Sequence, residues 1–293
     1  MRRSVEGRVV LVTGPARGIG EATARRLAAR GAKLALVGLE PERLAALARE
    51  LGAGHVWFEC DVTDQAALDR AVAGTVETLG GIDVVLANAG VASNCTVAAG
   101  PVEALVRTIE VNLVGVVRTV SATLPHVTAR RGYYLLVSSA AAIAALPGIS
   151  TYAASKSGVE FFGNALRLEV AHKGVAVGVA HPCWVDTDLV RDQQRDLGTF
   201  DEMLKKLPGP FGTITPVSEC ADAFVAAIER RKRKVFIPKS LAPLAAVRQL
   251  FMSPLSDWVM KRQAKRLIPE TECELATIDR AFGASSMGMG RRR

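Results

Sequence analysis

The sequence predicts an α/β fold in which helices cover both faces of a doubly wound parallel sheet. Short apolar runs that suit buried parallel strands alternate with segments of helical period along most of the 293 residues. A glycine-rich loop, Thr13 to Gly20, separates the first apolar run from the first helical segment. This order of strand, loop and helix is typical of a βαβ unit that binds a phosphate group.

The individual elements follow from the positions of the apolar runs and the helix-start signals. Pro41 suits the first turn of a helix, and Asp64 is a typical N-cap. We expect strands at 9–12, 34–37, 56–60, 84–87, 175–180 and 235–237, with another that ends at Val137. We expect helices from the glycine loop to Gly31, at 41–51, 64–79, 102–110, 113–129 and 218–231, and around Tyr152 and Lys156.

Composition excludes several classes of protein. The longest apolar runs fall far short of the roughly 20 residues that cross a membrane, and we expect a cytoplasmic protein. Five cysteines lack metal-ligand spacing, so we expect reduced thiols and no metal. The net charge of +8 is concentrated in clusters at 230–234 and 291–293. Neither cluster is interleaved with aromatic residues, so nucleic-acid binding is not predicted.

The chain divides into a core and a carboxyl-terminal extension. We predict one domain at 1–238, a helical extension at 239–282 and a disordered tail at 283–293. Within the domain, 186–216 carries apolar residues but no strand signal, which favours a lid. The extension has an apolar helical stripe with basic residues beside it. It could pack over the pocket, pack against a second subunit or lie on an acidic membrane surface, and the last is not favoured.

A tyrosine and a lysine, Tyr152 and Lys156, stand four residues apart in a helical segment. Their side chains would project from one face, and an ammonium beside a phenol stabilises the phenolate. We therefore expect Lys156 to lower the pKa of Tyr152 from about 10 toward the working range of an acid–base catalyst. Ser139 follows a strand, at the sheet edge where open α/β folds bind ligands. Taken alone, the Tyr152–Lys156 pair also fits two exposed side chains one helical turn apart.

Six motifs in order resemble those of the classical short-chain dehydrogenase/reductase family, from about residue 7 to 237. The resemblance implies a Rossmann-type fold and hydride transfer between a nicotinamide and an alcohol or ketone. One departure is Cys183, which stands where the family often has glycine after Pro182. The motifs are the Thr-Gly-x-x-x-Gly-x-Gly loop at Thr13 to Gly20, Asp61-Val62, Asn88-Ala89-Gly90, Asn112, Ser139, and Tyr152 with Lys156.

The resemblance implies a role for each matched residue. Tyr152 would exchange a proton with the substrate oxygen, Ser139 would hydrogen-bond to that oxygen, and Lys156 would bind the nicotinamide ribose. Asn112 would hold a water in the proton relay, although Asn88 and Asn112 could instead serve only the local backbone. The expected catalytic residues are Asn112, Ser139, Tyr152 and Lys156. The expected cofactor-binding residues are Gly14, Arg17, Gly18, Ile19, Gly20, Leu39, Asp61, Val62, Asn88, Ala89, Gly90, Tyr152, Lys156, Val185 and Thr187.

The choice between NADP and NAD depends on the end of the second strand. An NAD-specific site usually has an acid there, which binds the ribose hydroxyls and repels a 2′-phosphate, but this chain has Gly38 followed by Leu39. Arg17 suits a phosphate partner. Glu40 would favour NAD if it turned inward. The sequence favours NADP, with NAD as the alternative.

The expected pocket walls are 91–94, 140–146, Cys183, Trp184 and the lid, which are largely apolar and lack an arginine or lysine suited to an anionic substrate. We therefore expect a hydrophobic secondary alcohol or ketone, such as a lipid, steroid or terpenoid-like compound. The helix after Tyr152 is apolar on more than one face, which favours a homodimer or homotetramer. Two alternatives keep the fold: a nicotinamide-dependent epimerase or dehydratase, and a non-catalytic redox sensor. Both are disfavoured because the set of catalytic residues is complete.

Overall fold

The computed structural model describes residues 3–93, 95–144, 146–207, 209–278 and 281–283, without the side chains of 252, 255–257, 259 and 263. Asn94, Ala145, the side chains of Leu255 and Val259, and the tail predicted at 283–293, apart from Gly283, lie outside this description. The strands are β1 Val9–Thr13, β2 Lys33–Gly38, β3 Val56–Glu59, β4 Val84–Ala87, β5 Tyr133–Val137, β6 Ala176–Pro182, β7 Trp184–Val185, β8 Ile214–Thr215 and β9 Lys234–Ile237.

Seven of these strands form one parallel sheet in the order β3-β2-β1-β4-β5-β6-β9. The chain runs outward from β1 to β3, returns to β4 beside β1, and continues outward on the other side. This reversal confirms the predicted doubly wound sheet and creates a crevice at the carboxyl ends of β1 and β4. The remaining strands, β7 and β8, pair with each other in parallel.

Helices cover both faces of the sheet. The fully apolar strands, such as β1 and β4, are buried on both sides because each face packs against helices. The helices are α1 Gly18–Ala28, α2 Pro41–Leu51, α3 Gln65–Leu79, α4 Val102–Ile109, α5 Gly115–Ala129, α6 Ser150–Glu169, α7 Asp188–Asp196, α8 Gly198–Lys206, α9 Val217–Arg230, α10 Leu241–Ala246 and α11 Pro254–Ala276. One core contains α1, α2 and α9, and the other contains α3 to α6.

Two helices that the sequence separates are continuous. A π-helical turn at Glu110–Val114 joins α4 to α5, so helical backbone extends from 102 to 129. The N–H of Gly115 donates to the carbonyl of Glu110, five residues earlier, which identifies the wider turn. Such turns occur frequently at functional sites, and this one carries Asn112.

The segment predicted as a lid contains α7 and α8. The short β7–β8 pair lies at its two ends, where no strand was predicted because each strand is only two residues long. After β9 the extension forms α10, a 3₁₀ turn at Arg248–Met252 and α11. In the described part of the chain, none of the helices combines the length and apolar character needed to cross a bilayer.

Candidate active site

The glycine loop after β1 places backbone that no side chain covers at the crevice. Gly14 and Gly18 have φ values of 66° and 57°, a left-handed conformation that glycine adopts without strain. A Cβ on Gly14 would lie 2.9 Å from the Cα of Ala89. The side chain of Arg17 makes no capping hydrogen bond to the start of α1, which follows the loop. The open backbone and the positive end of the helix dipole make this loop a cradle for a pyrophosphate.

Asn88, directly after β4, joins this loop to the neighbouring strand through hydrogen bonds. Its Nδ2 donates to the carbonyl oxygens of Thr13 at 3.2 Å and Gly14 at 3.0 Å. The hydroxyl of Thr13 accepts from the N–H groups of Asn88 and Ala89 at 3.0 and 3.1 Å. Gly20 lies behind the loop, where a Cβ would fall 2.2 Å from the carbonyl oxygen of Gly14. Asn88 and Gly20 therefore keep the cradle in shape from behind.

An ion pair closes the crevice beyond β2. Arg17 donates from Nε to Oε2 of Glu40 at 3.3 Å, and a second nitrogen of its guanidinium contacts the other carboxylate oxygen. Glu40 precedes α2 and lines the same cavity as Arg17 and Leu39. The carboxylate of Glu40 therefore turns toward the cavity. It contacts Arg17, the residue that the sequence predicts as the partner of the 2′-phosphate of NADP.

Asp61 has two partners that fix its carboxylate. Thr63 donates to Oδ1 through its N–H at 2.8 Å and its hydroxyl at 2.7 Å, and Arg107 donates to Oδ2 at 2.6 Å. Burial opposes ionisation of Asp61, but the hydrogen bonds from Thr63 and Arg107 hold its pKa below the ordinary value. Sequence reasoning missed Arg107, because its contact with Asp61 joins α4 to the loop after β3.

Tyr152, Lys156 and Ser139 meet at the carboxyl end of β5. Lys156, 4% exposed, donates from Nζ to the carbonyl of Val137 at 3.0 Å and lies 5.6 Å from the centre of the Tyr152 ring. Ser139 accepts from the N–H of Ala141 at 3.1 Å. Its hydroxyl donates to the carbonyl oxygen of Pro182 at 3.4 Å and lies next to the Tyr152 phenol. The structure therefore brings together the three groups that the sequence selected for proton transfer.

The pKa directions differ from the expectation that Lys156 lowers the pKa of Tyr152. Burial raises the pKa of the Tyr152 phenol, and the hydrogen bond with Ser139 only partly offsets this effect. Burial also lowers the pKa of Lys156 to about 8. Cys183 lies close to Tyr152, and burial raises the pKa of its thiol to about 11. Burial in the cleft disfavours the ionised form of each side chain, which raises the pKa of the phenol and lowers that of the ammonium.

Asn112 lies behind the cleft rather than on its surface. It is fully buried in the π-helical turn, where its Oδ1 accepts from the N–H of Val91 at 2.8 Å. Its Nδ2 donates to the carbonyl of Val91 at 2.9 Å and to the hydroxyl of Ser155 at 3.2 Å. A Cβ on Gly90 would meet both Asn112 and Lys156. The side chain therefore joins the loop after β4 to α6.

One cavity of about 800 Å³ connects these groups. One end of this cavity extends along the glycine loop, and the other end forms an apolar chamber beside Tyr152. No group of three His, Cys, Asp or Glu residues in the described ranges could hold a metal ion. Asn112 and Gly20 stand behind the wall, while these predicted site residues line it: Gly14, Arg17, Gly18, Ile19, Leu39, Asp61, Val62, Asn88, Ala89, Gly90, Ser139, Tyr152, Lys156, Val185 and Thr187.

The apolar chamber includes walls that the sequence did not assign. Leu250, Phe251 and Met260 of the carboxyl-terminal extension line it, so the first of the three expected placements, packing over the pocket, is the one observed. Lys206, in the predicted lid, also lines the chamber. Its ammonium pairs with Glu202, which neutralises the charge.

Comparison with known proteins assigns the family. The short chain dehydrogenase profile matches residues 8–198, which include the glycine loop, Ser139, Tyr152 and Lys156. The chain belongs to the short-chain dehydrogenase family. Its relatives are named as dehydrogenases and reductases, and the protein is an NAD(P)-dependent oxidoreductase.

Three relatives illustrate the range of the similarity. This chain is 35% identical to (-)-trans-carveol dehydrogenase of Rhodococcus erythropolis, over 70% of this chain and 79% of the relative. It is 33% identical to mitochondrial borneol dehydrogenase of Lavandula x intermedia, over 75% of this chain and 83% of the relative. It is also 33% identical to glycine betaine reductase of Emericella nidulans over 77% of this chain, but this match spans only 18% of the reductase.

Proposed function

We propose that the protein interconverts a hydrophobic secondary alcohol and the corresponding ketone, with Tyr152 as the proton donor and acceptor. The observation that carries the proposal is the position of Tyr152, between the cradle of the glycine loop and the apolar chamber. A substrate carbonyl at this point would lie within reach of the phenol and of the Ser139 hydroxyl. The relatives named for carveol and borneol act on hydrophobic alcohols, which supports the same substrate class.

The residues of the crevice fit a nicotinamide dinucleotide. Bare backbone at Gly14 and Gly18 leaves room for the pyrophosphate, and the uncapped start of α1 faces it. Asp61 and Val62 would contact the adenine, while Asn88, Ala89 and Gly90 would line the path to the nicotinamide. Ile19, Leu39, Val185 and Thr187 complete the proposed set. When bound, the nicotinamide supplies or accepts the hydride.

The chain's own residues would handle the proton. During ketone reduction, the Tyr152 hydroxyl donates its proton to the carbonyl oxygen; during alcohol oxidation, the phenolate takes the hydroxyl proton back. The Ser139 hydroxyl donates a hydrogen bond to the same oxygen and stabilises its developing charge. The Lys156 ammonium would hold the ribose. We assign Asn112 as a positioning residue, because its amide ties Val91 to Ser155 on the helix that carries Tyr152.

The inward position of Glu40 changes the preference between NADP and NAD that the sequence suggests. Arg17 by itself favours NADP, but Glu40 occupies its guanidinium. A carboxylate at the end of β2 can accept from the ribose hydroxyls of NAD and would repel the 2′-phosphate of NADP. We therefore propose a preference for NAD.

The proposed catalytic unit comprises residues 1–238, with a lid at about 186–216 and an extension at 239–282.

A turnover assay tests the proposed function directly. Purified protein is supplied with NADH or NADPH and a panel of apolar ketones, and small keto acids serve as the contrast. We expect turnover of apolar ketones and a higher kcat/KM with NADH. Tight cofactor binding without turnover of any ketone or alcohol would contradict the proposal.

A further inference from the structure

The carboxyl-terminal extension forms a roof, defined here as residues 241–276, that spans the mouth of the apolar chamber. On one side, the hydroxyl of Thr96, in the loop after β4, donates to Oε1 of Glu272 at 2.7 Å. On the other side, the hydroxyl of Thr199, in α8 of the lid, donates to Oε2 of Glu274 at 2.8 Å. Two carboxylates of α11 thus attach this helix to the loop after β4 and to the lid.

Apolar contacts hold the first part of the roof on the chamber. Leu241 is fully buried in a cluster with Ile143 and Phe211. Phe251, in the 3₁₀ turn, packs edge-on against Phe211 with ring centres 5.7 Å apart. Since Phe211 belongs to the lid segment and Ile143 follows β5, the roof is attached to both of these parts of the chain.

A second, smaller chamber lies under the roof between α8 and α11. Its volume is about 80 Å³, several times the roughly 10–15 Å³ that one water requires. Four apolar side chains, Leu146, Trp184, Leu207 and Met260, line both this chamber and the main cavity. Gln193 and Lys206 also line both spaces, so the two spaces are neighbours that share a mostly apolar partition.

The second chamber begins close to the reacting groups. Ile149 lines both spaces, and it precedes Tyr152 by three residues at the start of α6. Ile149 is the N-cap of α6, so about one helical turn separates it from Tyr152. A substrate whose carbonyl contacts Tyr152 could therefore extend past Ile149 toward the second chamber.

The polar groups in the second chamber are occupied by the protein itself. Thr199 and Thr271 are within 3.2 Å of each other through their hydroxyls, and Thr199 also donates to Glu274. The ammonium of Lys206 pairs with Glu202 on the same helix. These contacts leave apolar surface as the main feature offered to a ligand, and apolar surface gains free energy when a hydrocarbon covers it.

We propose that the second chamber receives an apolar tail of the substrate, so that the preferred substrates are elongated ketones or alcohols rather than compact ring alcohols. This inference rests on the proposed function of the Tyr152 site. The small volume suits a narrow, unbranched chain, and the flexible thioether of Met260 at the partition can move aside for it. The roof would then recognise the tail while Tyr152 and Ser139 handle the carbonyl.

The first test is a chain-length series of unbranched methyl ketones with six to twelve carbons. Burial of one methylene is expected to raise kcat/KM about three- to fourfold until the second chamber is full. A kcat/KM that does not depend on chain length would overturn the proposal.

Two variants change the volume of the second chamber in opposite directions. Ala264→Phe on α11 would fill it, and Met203→Ala on α8 would enlarge it; both residues line only this chamber. We expect the kcat/KM ratio of the twelve-carbon to the six-carbon ketone to fall at least tenfold in Ala264→Phe. We expect the optimal chain length to increase in Met203→Ala. The control, Ala246→Phe, makes the same change on the exposed side of α10 and should leave the ratio unchanged. An unaltered ratio in both chamber variants would contradict the assignment.

A binding measurement separates this inference from the proposed function. In a Trp57→Phe, Trp258→Phe background, which changes two exposed tryptophans, Trp184 is the sole remaining indole and lines both chambers. Its fluorescence is titrated with short and long secondary alcohols, with and without NAD. Tighter binding of long alcohols that Ala264→Phe abolishes would support the chamber even if no turnover occurred, in which case only the proposed function fails. Equal affinities for short and long alcohols would overturn the inference even in an active enzyme.

Discussion

Arg248 of the roof donates from Nη1 to Oε2 of Glu160 at 3.0 Å. Glu160 lies on α6, one helical turn beyond Lys156, and is only 3% exposed. It also accepts from Lys234 at 3.1 Å and lies 3.5 Å from Nε2 of His181. A buried carboxylate thus links the carboxyl-terminal extension to the helix that carries Tyr152 and Lys156.

Replacement of Arg248 by alanine is expected to destabilise the fold. The change removes one of the cations around the buried carboxylate of Glu160, and the loss of a charged hydrogen bond of this kind costs about 1–3 kcal/mol. Urea unfolding measures the difference. The matched control is Arg266→Ala, which removes an exposed ion pair with Glu202 and should cost less than about 1 kcal/mol. Equal losses in the two variants would contradict a structural role for the Arg248–Glu160 contact.

Acid stability should depend on Glu160. Burial raises its pKa, but hydrogen bonds and charge from His181 and Lys234 outweigh burial and bring the pKa from 4.5 to about 2. Because the folded pKa is the lower one, the stabilisation is complete above about pH 4.5 and is lost as the pH falls toward 2. It amounts to something on the order of 3 kcal/mol. In Glu160→Gln, unfolding free energies measured from pH 5 to 2 should fall less steeply than in the unmodified chain. Identical slopes would exclude Glu160 as a source of the acid sensitivity.

The Arg17–Glu40 ion pair should control cofactor preference. Glu40→Gln removes the charge that repels a 2′-phosphate and releases Arg17, so the affinity for NADPH relative to NADH should rise about tenfold or more. Arg17→Ala should lower the same ratio. Fluorescence titration of each protein with both cofactors measures the change, and Glu42→Gln, an exposed acid on α2, is the control. A ratio that does not change in Glu40→Gln would show that Glu40 does not face the ribose.

We expect the enzyme to form a homodimer or homotetramer through the outer face of α6. Phe161 and Leu168 are 65% and 66% exposed there, and an apolar patch on a helix favours burial against a second subunit. Light scattering at micromolar concentration should give a dimer or tetramer mass. Phe161→Glu should shift the mass toward the monomer, whereas Val97→Glu, an exposed apolar position in another part of the chain, should not. A monomer mass for the unmodified chain would refute the expectation.

The sheet could be predicted from the sequence because its strands are short, fully apolar runs between helical segments. Val84 to Ala87 and Pro41 to Leu51 were predicted at the observed bounds, since turn residues and an N-terminal proline mark their ends. The positions of Ser139, Tyr152 and Lys156 were predictable for a similar reason. A residue at the carboxyl end of a parallel strand and a helix beside that strand reach the same crevice.

Side-chain direction and long-range contacts could not be predicted in this way. Glu40 follows β2 in the sequence, but only the fold brings its carboxylate to Arg17. The amide of Asn112 turns away from the cleft because the π-helical turn aims it at Val91. The raised pKa of Tyr152 follows from its burial in the folded chain, which sequence spacing does not reveal. The sequence likewise left three placements open for the extension, since an amphipathic helix does not specify its partner.

Tyr152→Phe tests the central claim most directly. The substitution removes the proton donor and retains the ring, while Lys156 and the glycine loop stay in place. For an apolar ketone that the unmodified enzyme reduces, kcat should fall by about 10²–10⁴-fold, the usual contribution of general acid–base catalysis. The affinity for the nicotinamide cofactor, measured by fluorescence titration, should stay within about threefold. A Tyr152→Phe enzyme with a kcat near that of the unmodified enzyme would contradict the assignment of Tyr152 as the proton donor.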